Sequence, residues 1–259
     1  MKEMAITQRL AGLGNAKWRL HIKAKELAAQ GHDIIEMTIG EPDVPTPPEL
    51  VEAAYDAMRN GRTTYSNGAG ETGLRNALAK RYAHRSQRQI TNDQVLCFPG
   101  AQTALFTVLM GVAESGCEVL VGDPMYATYE GVIRASGANV VPVPLRPENG
   151  FRIAVQDIAE RISPKTSAIL LTTPHNPTGS ILTDAEIEAI GALAIAHDLW
   201  IISDEVYSEL VFDGAKFSSP LSRSELADRV IVVSSISKSH AAPGFRSGWC
   251  IGPCAFTKA

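Results

Sequence analysis

A lysine sits a few residues beyond four β-branched residues, Val230-Ile231-Val232-Val233, in the stretch Ser234-Ser235-Ile236-Ser237-Lys238-Ser239-His240-Ala241-Ala242-Pro243-Gly244-Phe245-Arg246. The apolar run reads as a buried strand. A charged lysine just past such a strand is costly, whereas one kept partly neutral is a nucleophile. The hydroxyls of Ser235 and Ser237 and the guanidinium of Arg246 fall within the same short stretch and suit an anion such as a phosphate. A polar loop after a strand is the plain alternative.

Other apolar runs end in residues of comparable promise. Pro99-Gly100-Ala101-Gln102-Thr103 reads as a glycine turn into a helix, whose free N–H groups and dipole would hold a phosphate. Asp123-Pro124-Met125-Tyr126 places an aromatic at a helix start, and Thr173-Pro174-His175-Asn176-Pro177-Thr178-Gly179 is a rigid turn projecting one amide. Asp204-Glu205-Val206-Tyr207 offers a carboxylate and a phenol. Taken singly, each has an ordinary reading: a turn, a packed aromatic, a capping amide or a salt-bridged acid. Together they supply a phosphate cradle, an aromatic face, an amide, a carboxylate, a phenol and a lysine. That inventory fits pyridoxal phosphate, which needs an amine, an acid opposite its ring nitrogen and donors for its phosphate.

The elements that must position these groups alternate regularly. Short β-rich runs occur at 95–98, 118–121, 139–143, 168–171, 200–203, 230–233 and 248–251. Helical patterns lie between most of them, at Thr103–Ala113, Tyr126–Ala135, Val155–Arg161 and Asp184–His197, the last opened by a Thr183/Glu186 capping box. Such alternation predicts an α/β fold: a mostly parallel seven-stranded sheet with helices on both faces. The run at 248–251 follows too closely for a helical crossover and is expected to be antiparallel. In such sheets ligands collect at the carboxyl ends of the strands, where all the residues above fall.

Residues 1–47 read as an arm, with a helix from about Asn15 to Gln30 and then an apolar piece, Asp33–Gly40. The prolines of Glu41–Pro48 break any regular element, and Pro48 suits the start of a helix ending at Arg59. Gly68, Gly70 and Gly73 match G-x-G-x-x-G, and Asp93 lies at the spacing of a ribose acid. No apolar strand precedes those glycines, so a loop presenting Tyr65, followed by a helix from Leu74 to about Arg85, is the better account.

Composition narrows the class. The 259 residues carry 24 basic and 28 acidic side chains, a net charge of −4, spread without a basic stripe for nucleic acid. No run approaches a membrane span, and the N-terminus lacks the apolar core of a signal peptide. Cys97, Cys117, Cys250 and Cys254 form no C-x-x-C pair and accompany no histidine cluster, so no metal site is expected. A soluble, reducing, cytoplasmic setting follows.

The motifs Pro174-His175-Asn176-Pro177-Thr178-Gly179, Ser203-Asp204-Glu205-Val206-Tyr207 and Ser235 through Lys238 to Arg246, in this order and spacing, resemble those of class I aminotransferases. These belong to the fold-type I pyridoxal-phosphate enzymes of the aspartate aminotransferase superfamily, and the bacterial aspartate-type and arginine–pyruvate-type members are the most similar. The resemblance implies an enzyme that moves an amino group from an L-amino acid to a 2-oxo acid in ping-pong half-reactions. It implies that Lys238 forms the internal aldimine and shuttles the proton, and that Asp204 keeps the pyridine nitrogen protonated. Tyr207 and Asn176 would bond the ring hydroxyl, Tyr126 would stack on the ring, and Ala101, Gln102, Ser235 and Arg246 would bind the phosphate. Tyr65 would reach the neighbouring subunit's phosphate in a homodimer, and Gly40 would line the substrate pocket with Asn176.

By the same resemblance, residues 1–47 are an arm and substrate-side segment and 48–259 the large cofactor-binding domain. The small C-terminal domain, with its substrate-carboxylate arginine, is expected to be absent, leaving apolar surface on the arm. Cofactor binding without efficient turnover, as in a truncated chain or a sensor module, is one alternative. Another is a Ser-Lys acyl hydrolase, since Ser235-Ile236-Ser237-Lys238 matches S-x-x-K. Its companion motifs have only Ser203-Asp204-Glu205 and Lys165-Thr166-Ser167 as counterparts.

Overall fold

The computed structural model of the chain describes residues 4–13 and 15–259. Helices α1 (Ala5–Leu10) and α2 (Asn15–Ala29) come first, and α3 (Pro48–Arg59) and α4 (Thr72–Ser86) follow. Strands and helices then alternate through β1 (Val95–Phe98), α5 (Ala101–Val112), β2 (Glu118–Asp123), α6 (Tyr129–Ser136), β3 (Asn139–Pro144) and α7 (Val155–Ala159). The remainder runs β4 (Thr166–Thr172), α8 (Asp184–Ala196), β5 (Trp200–Asp204), β6 (Val230–Ser235), α9 (Ile236–Ser239), β7 (Gly248–Ile251) and α10 (Cys254–Thr257). Every strand expected from the sequence is present, and all seven join one sheet in the order β1-β7-β6-β5-β4-β2-β3. The pairs among β2 to β6 are parallel, while β7 runs antiparallel to β1 and β6. The connection through Lys238 holds only the four-residue α9 and a short turn, with no crossover helix, which suits an antiparallel return.

Strand alternation sorts the core onto two faces. Ile169, Leu171, Ile201, Val230 and Val232 pack with α4 and α8, and Ala168, Leu170, Ile202, Ile231 and Val233 pack with α5 and α6. Val230 to Val233 are all 0% exposed. Each such side chain contributes roughly 1.5–3 kcal/mol on burial, which holds β6 in the sheet interior with a strand on either side. The same alternation sends consecutive residues at a strand end to opposite faces. Asp204 therefore turns to the α6 side, and Glu205 to the α4 side.

Several local expectations shift. Helix α6 begins at Tyr129, so Tyr126 stands in the preceding turn, its carbonyl accepting the Tyr129 N–H at 3.0 Å. Lys238 lies on the short helix α9, whose first turn is capped by Ser235 Oγ. The α8 capping box forms as expected, Thr183 and Glu186 each accepting the other's N–H. Residues 33–40 adopt no helix or strand, and Ile35 and Met37 stand 87% and 89% exposed. The loop holding Gly68 and Gly70, with Gly73 in the first turn of α4, follows no strand, which removes the dinucleotide reading. Gly70 is there for packing: at φ 107°, an added Cβ would lie 2.6 Å from Cys97 Cβ. Among the described residues no helix is long and apolar enough to cross a membrane.

Candidate active site

At the carboxyl ends of β4, β5 and β6 a cavity of about 180 Å³ opens, closed on one side by the start of α5. Its floor is Asp204. Oδ1 accepts the Val206 N–H at 3.2 Å, and Oδ2 accepts the Tyr129 hydroxyl at 2.7 Å. Burial pushes this carboxyl above its ordinary value, and the Tyr129 and Val206 bonds pull it back. Burial outweighs the two bonds, which nonetheless give each carboxylate oxygen a donor.

One wall comes from the turn after β4. The Thr173-Pro174 and Asn176-Pro177 bonds are cis, and Asn176 Nδ2 donates to the Tyr207 hydroxyl at 3.0 Å. Burial raises the Tyr207 phenol, while the Asn176 bond lowers it. The facing wall is Tyr126, set edge-on to Tyr129 with ring centroids 5.5 Å apart at 80°. Its ring borders the cavity, as a stacking platform must.

The far end is cationic. Helix α5 makes its first intrahelical bond from Ala104 N–H to the Gly100 carbonyl, so the preceding amides at Ala101 and Gln102 are unclaimed by the helix. Gly100, at φ 88°, lets Arg246 approach: an added Cβ would lie 2.2 Å from its Nη2. Gly248 serves the same contact from behind, since a Cβ there would stand 2.5 Å from Ala101 N. Arg246, itself left-handed at φ 50°, is steadied by donating to the Pro243 carbonyl at 2.8 Å. Ser235 completes this end, its Oγ accepting the Ser237 N–H at 3.3 Å. Helix amides, a guanidinium and a hydroxyl around one concavity suit a phosphate.

Lys238 enters from α9. Its Nζ donates to the Gly40 carbonyl, which ties the 38–41 stretch over the cavity, and Thr46 Oγ1 bonds the Ala241 carbonyl to hold the same stretch farther on. Burial holds the amine below the ordinary lysine value, opposed by the charge of Glu41. Ten residues singled out from the sequence line this cavity: Ala101, Gln102, Tyr126, Asn176, Asp204, Tyr207, Ser235, Ser237, Lys238 and Arg246. Gly40 joins them through Lys238. Tyr65 does not; it is fully exposed on the 60–71 loop. His240 pairs with Ser239 Oγ at 2.7 Å and is not among the lining residues.

Tyr129 was missed by sequence reasoning. It is buried, bonds both Thr172 Oγ1 and Asp204 Oδ2, and holds the floor in place. The one available signal was a second tyrosine three residues after Tyr126.

The S-x-x-K reading finds no support in the geometry. Ser235 Oγ caps α9, and Ser203 is buried against Glu205. Lys165 and Thr166 lie at the amino end of β4, across the sheet from Lys238.

Comparison with known proteins places the chain. Residues 32–259 match the family described as aminotransferase class I and II. The arginine–pyruvate transaminase AruH of Pseudomonas aeruginosa is 46% identical over 255 residues, covering 98% of this chain and 65% of that protein. An aspartate aminotransferase of Geobacillus stearothermophilus is 34% identical over 258 residues, covering 99% of this chain and 66% of its own length. The aspartate aminotransferase of Thermus thermophilus, solved with maleate, superposes with a TM-score of 0.92 at 32% identity, covering all of this chain and 66% of that one. The chain thus spans about 65% of the length of these relatives. Enzymes of this family depend on pyridoxal phosphate. With the family match, the fold and the identities in agreement, the chain belongs to the class I and II aminotransferases.

Proposed function

We propose that this chain provides the cofactor site of a pyridoxal-phosphate-dependent aminotransferase, which transfers an amino group from an L-amino acid to a 2-oxo acid. One observation carries the reading: an amine, a buried carboxylate, a phenol–amide pair and an anion cradle converge on one cavity. The cradle is the fit test. Gly100 and Gly248 are both positions where a Cβ would collide, so the Arg246 guanidinium and the first amides of α5 are brought close together, as an oxyanion site requires.

When bound, the cofactor would supply an electron sink for the charge that develops at the substrate's Cα. The residues do the rest. Lys238 Nζ, lowered by burial, is the amine to which the cofactor's aldehyde would be joined. The same nitrogen would be the group placed to take a proton from the substrate's Cα and to give it back. Asp204, whose carboxylate accepts the Tyr129 hydroxyl, would bond the ring nitrogen and favour its protonated form. Tyr207 and Asn176 would hold the ring hydroxyl, and Tyr126 would pack on the ring face. Ala101, Gln102, Ser235 and Arg246 would hold the phosphate.

Gly40, which accepts the Lys238 amine, and Asn176 would line the substrate's side of the cavity. Tyr65, fully exposed and not among the residues lining its own chain's cavity, suits a homodimer in which it serves the neighbouring site. On this reading residues 1–47 form the arm and substrate-side segment and 48–259 the cofactor domain. The four cysteines are all unpaired, which suits a reducing cytoplasm.

Absorbance tests the proposal. Folded protein given pyridoxal 5′-phosphate should gain a band in the near-ultraviolet to visible range that Lys238→Ala lacks. Adding an amino donor should then bleach that band. If the folded wild-type protein gains no band, the proposal fails.

A further inference from the structure

Directly behind the cavity floor, strand alternation places a second acid that the proposed chemistry does not use. Glu205 is 0% exposed. Its Oε1 accepts the hydroxyls of Ser203 and Ser219, and Oε2 has no partner among the described residues. Its backbone is fixed as well: the N–H donates to Val233 O at 2.9 Å, and the carbonyl accepts Ser234 Oγ at 3.3 Å.

Ser219 is the far end of a stretch, 206–219, that holds no helix or strand. Its near end is Val206-Tyr207, at the cavity. Its backbone bonds close only local turns, from Ser208 N–H to the Glu205 carbonyl at 3.0 Å, Leu210 N–H to the Tyr207 carbonyl at 2.8 Å and Ala215 N–H to the Phe212 carbonyl at 3.0 Å, so side-chain anchors must tie these turns to the rest of the fold. Helix α4 supplies outer ones: Arg85 donates to Ser208 Oγ at 3.0 Å and stacks 4.4 Å over the Phe217 ring. Glu205 is the inner one, because it immediately precedes the stretch and also grips its last residue.

We propose that Glu205 is the positioning residue for Tyr207, holding both ends of 206–219 from the opposite face of the sheet. The cofactor arm of its test rests on the function proposed above; the staple itself does not.

The surroundings also give the staple a pH dependence. Tyr82 and Arg85 face Glu205 from α4, Ser219 from the turn before β6, and Ser203 and Asp204 from its own strand. Burial pushes Glu205 up from 4.5 to about 7, with Ser219 and Arg85 drawing it down and the Asp204 charge pushing it up. Between those values the folded chain binds more protons than the unfolded one, so stability is full below about 4.5 and falls as pH rises through 7.

Three variants test the idea. Glu205→Gln keeps the acceptor for both serines and removes the titration. Glu205→Ala and Ser219→Ala cut the staple, and Ser219→Ala keeps the test alive if Glu205→Ala does not fold. In cofactor-free protein, amide hydrogen exchange across 206–219 should rise at least about tenfold in the two alanine variants and stay unchanged in Glu205→Gln. With cofactor bound, the pH midpoint of the visible band should move by about one unit in the alanine variants, as in Tyr207→Phe, and not in Glu205→Gln. Unchanged exchange in folded Ser219→Ala overturns the staple. Raised exchange with an unmoved midpoint overturns the positioning role. If the wild type shows no band, the cofactor reading fails, and exchange alone then decides the staple.

Discussion

Tyr129 donates its phenolic hydrogen to Asp204 Oδ2 across 2.7 Å while sharing a second hydrogen bond, also 2.7 Å, with Thr172 Oγ1. The bond links α6 to the end of β5 and supports the charge on which the proposed chemistry depends. Removing it in Tyr129→Phe leaves Asp204 with the Val206 N–H alone. Stability should fall by about 1–3 kcal/mol, as for other buried bonds to charged groups, and pyridoxal 5′-phosphate should bind more weakly. Urea unfolding and a cofactor titration check both; unchanged values in both would remove Tyr129 from the site.

Arg246→Gln, read with and without the ligand's phosphate, makes a paired test of the anion cradle. Arg246→Gln loses a charge-assisted contact to the phosphate, expected to be worth about 1.5–3 kcal/mol, or about tenfold to a hundredfold in affinity. Pyridoxal without its phosphate should bind both proteins alike. If both ligands weaken equally, Arg246 is not a phosphate ligand.

Gly248→Ala reads the same contact from the side of stability. The new Cβ would stand 2.4 Å from the Gly100 carbonyl carbon, and backbone cannot swing aside. A loss of about 1–3 kcal/mol in thermal unfolding is expected, with the start of α5 displaced. Wild-type stability would mean that β7 and α5 are set farther apart than described here.

His175 gives the acid side of the stability profile. Its Nδ1 pairs with Thr178 Oγ1 at 2.8 Å, and burial brings the imidazole down from 6.5 to about 4. Between those values the unfolded chain binds more protons, so stability is full above 6.5 and falls as pH drops toward 4. His175→Gln should flatten this slope when unfolding midpoints at about pH 7 and about pH 5 are compared. An undiminished slope would assign it to other groups.

Much of this was legible in the sequence because burial writes itself locally. Val230–Val233 and Ala168–Leu171 could only be interior strands, and the strand-end rule then delivers Asp204, Asn176 and Lys238 to one place. What stayed hidden depends on contacts distant in the chain. The turn at 124–128 delays α6 by three residues, which moves Tyr126 off the helix and puts Tyr129 on Asp204. Glu205 looked like part of a loop motif, and its burial appears only once Ser219 folds back on it. The Lys238–Gly40 bond joins residues 198 positions apart, which no local pattern encodes.

The central claim is that Lys238 carries the cofactor, and chemical trapping tests it most directly. Protein incubated with pyridoxal 5′-phosphate is reduced with borohydride, digested and mapped by mass spectrometry. The expected result is a single phosphopyridoxyl label on the peptide containing Lys238, absent from Lys238→Ala. A label on another lysine, or no label on folded protein, would contradict the account.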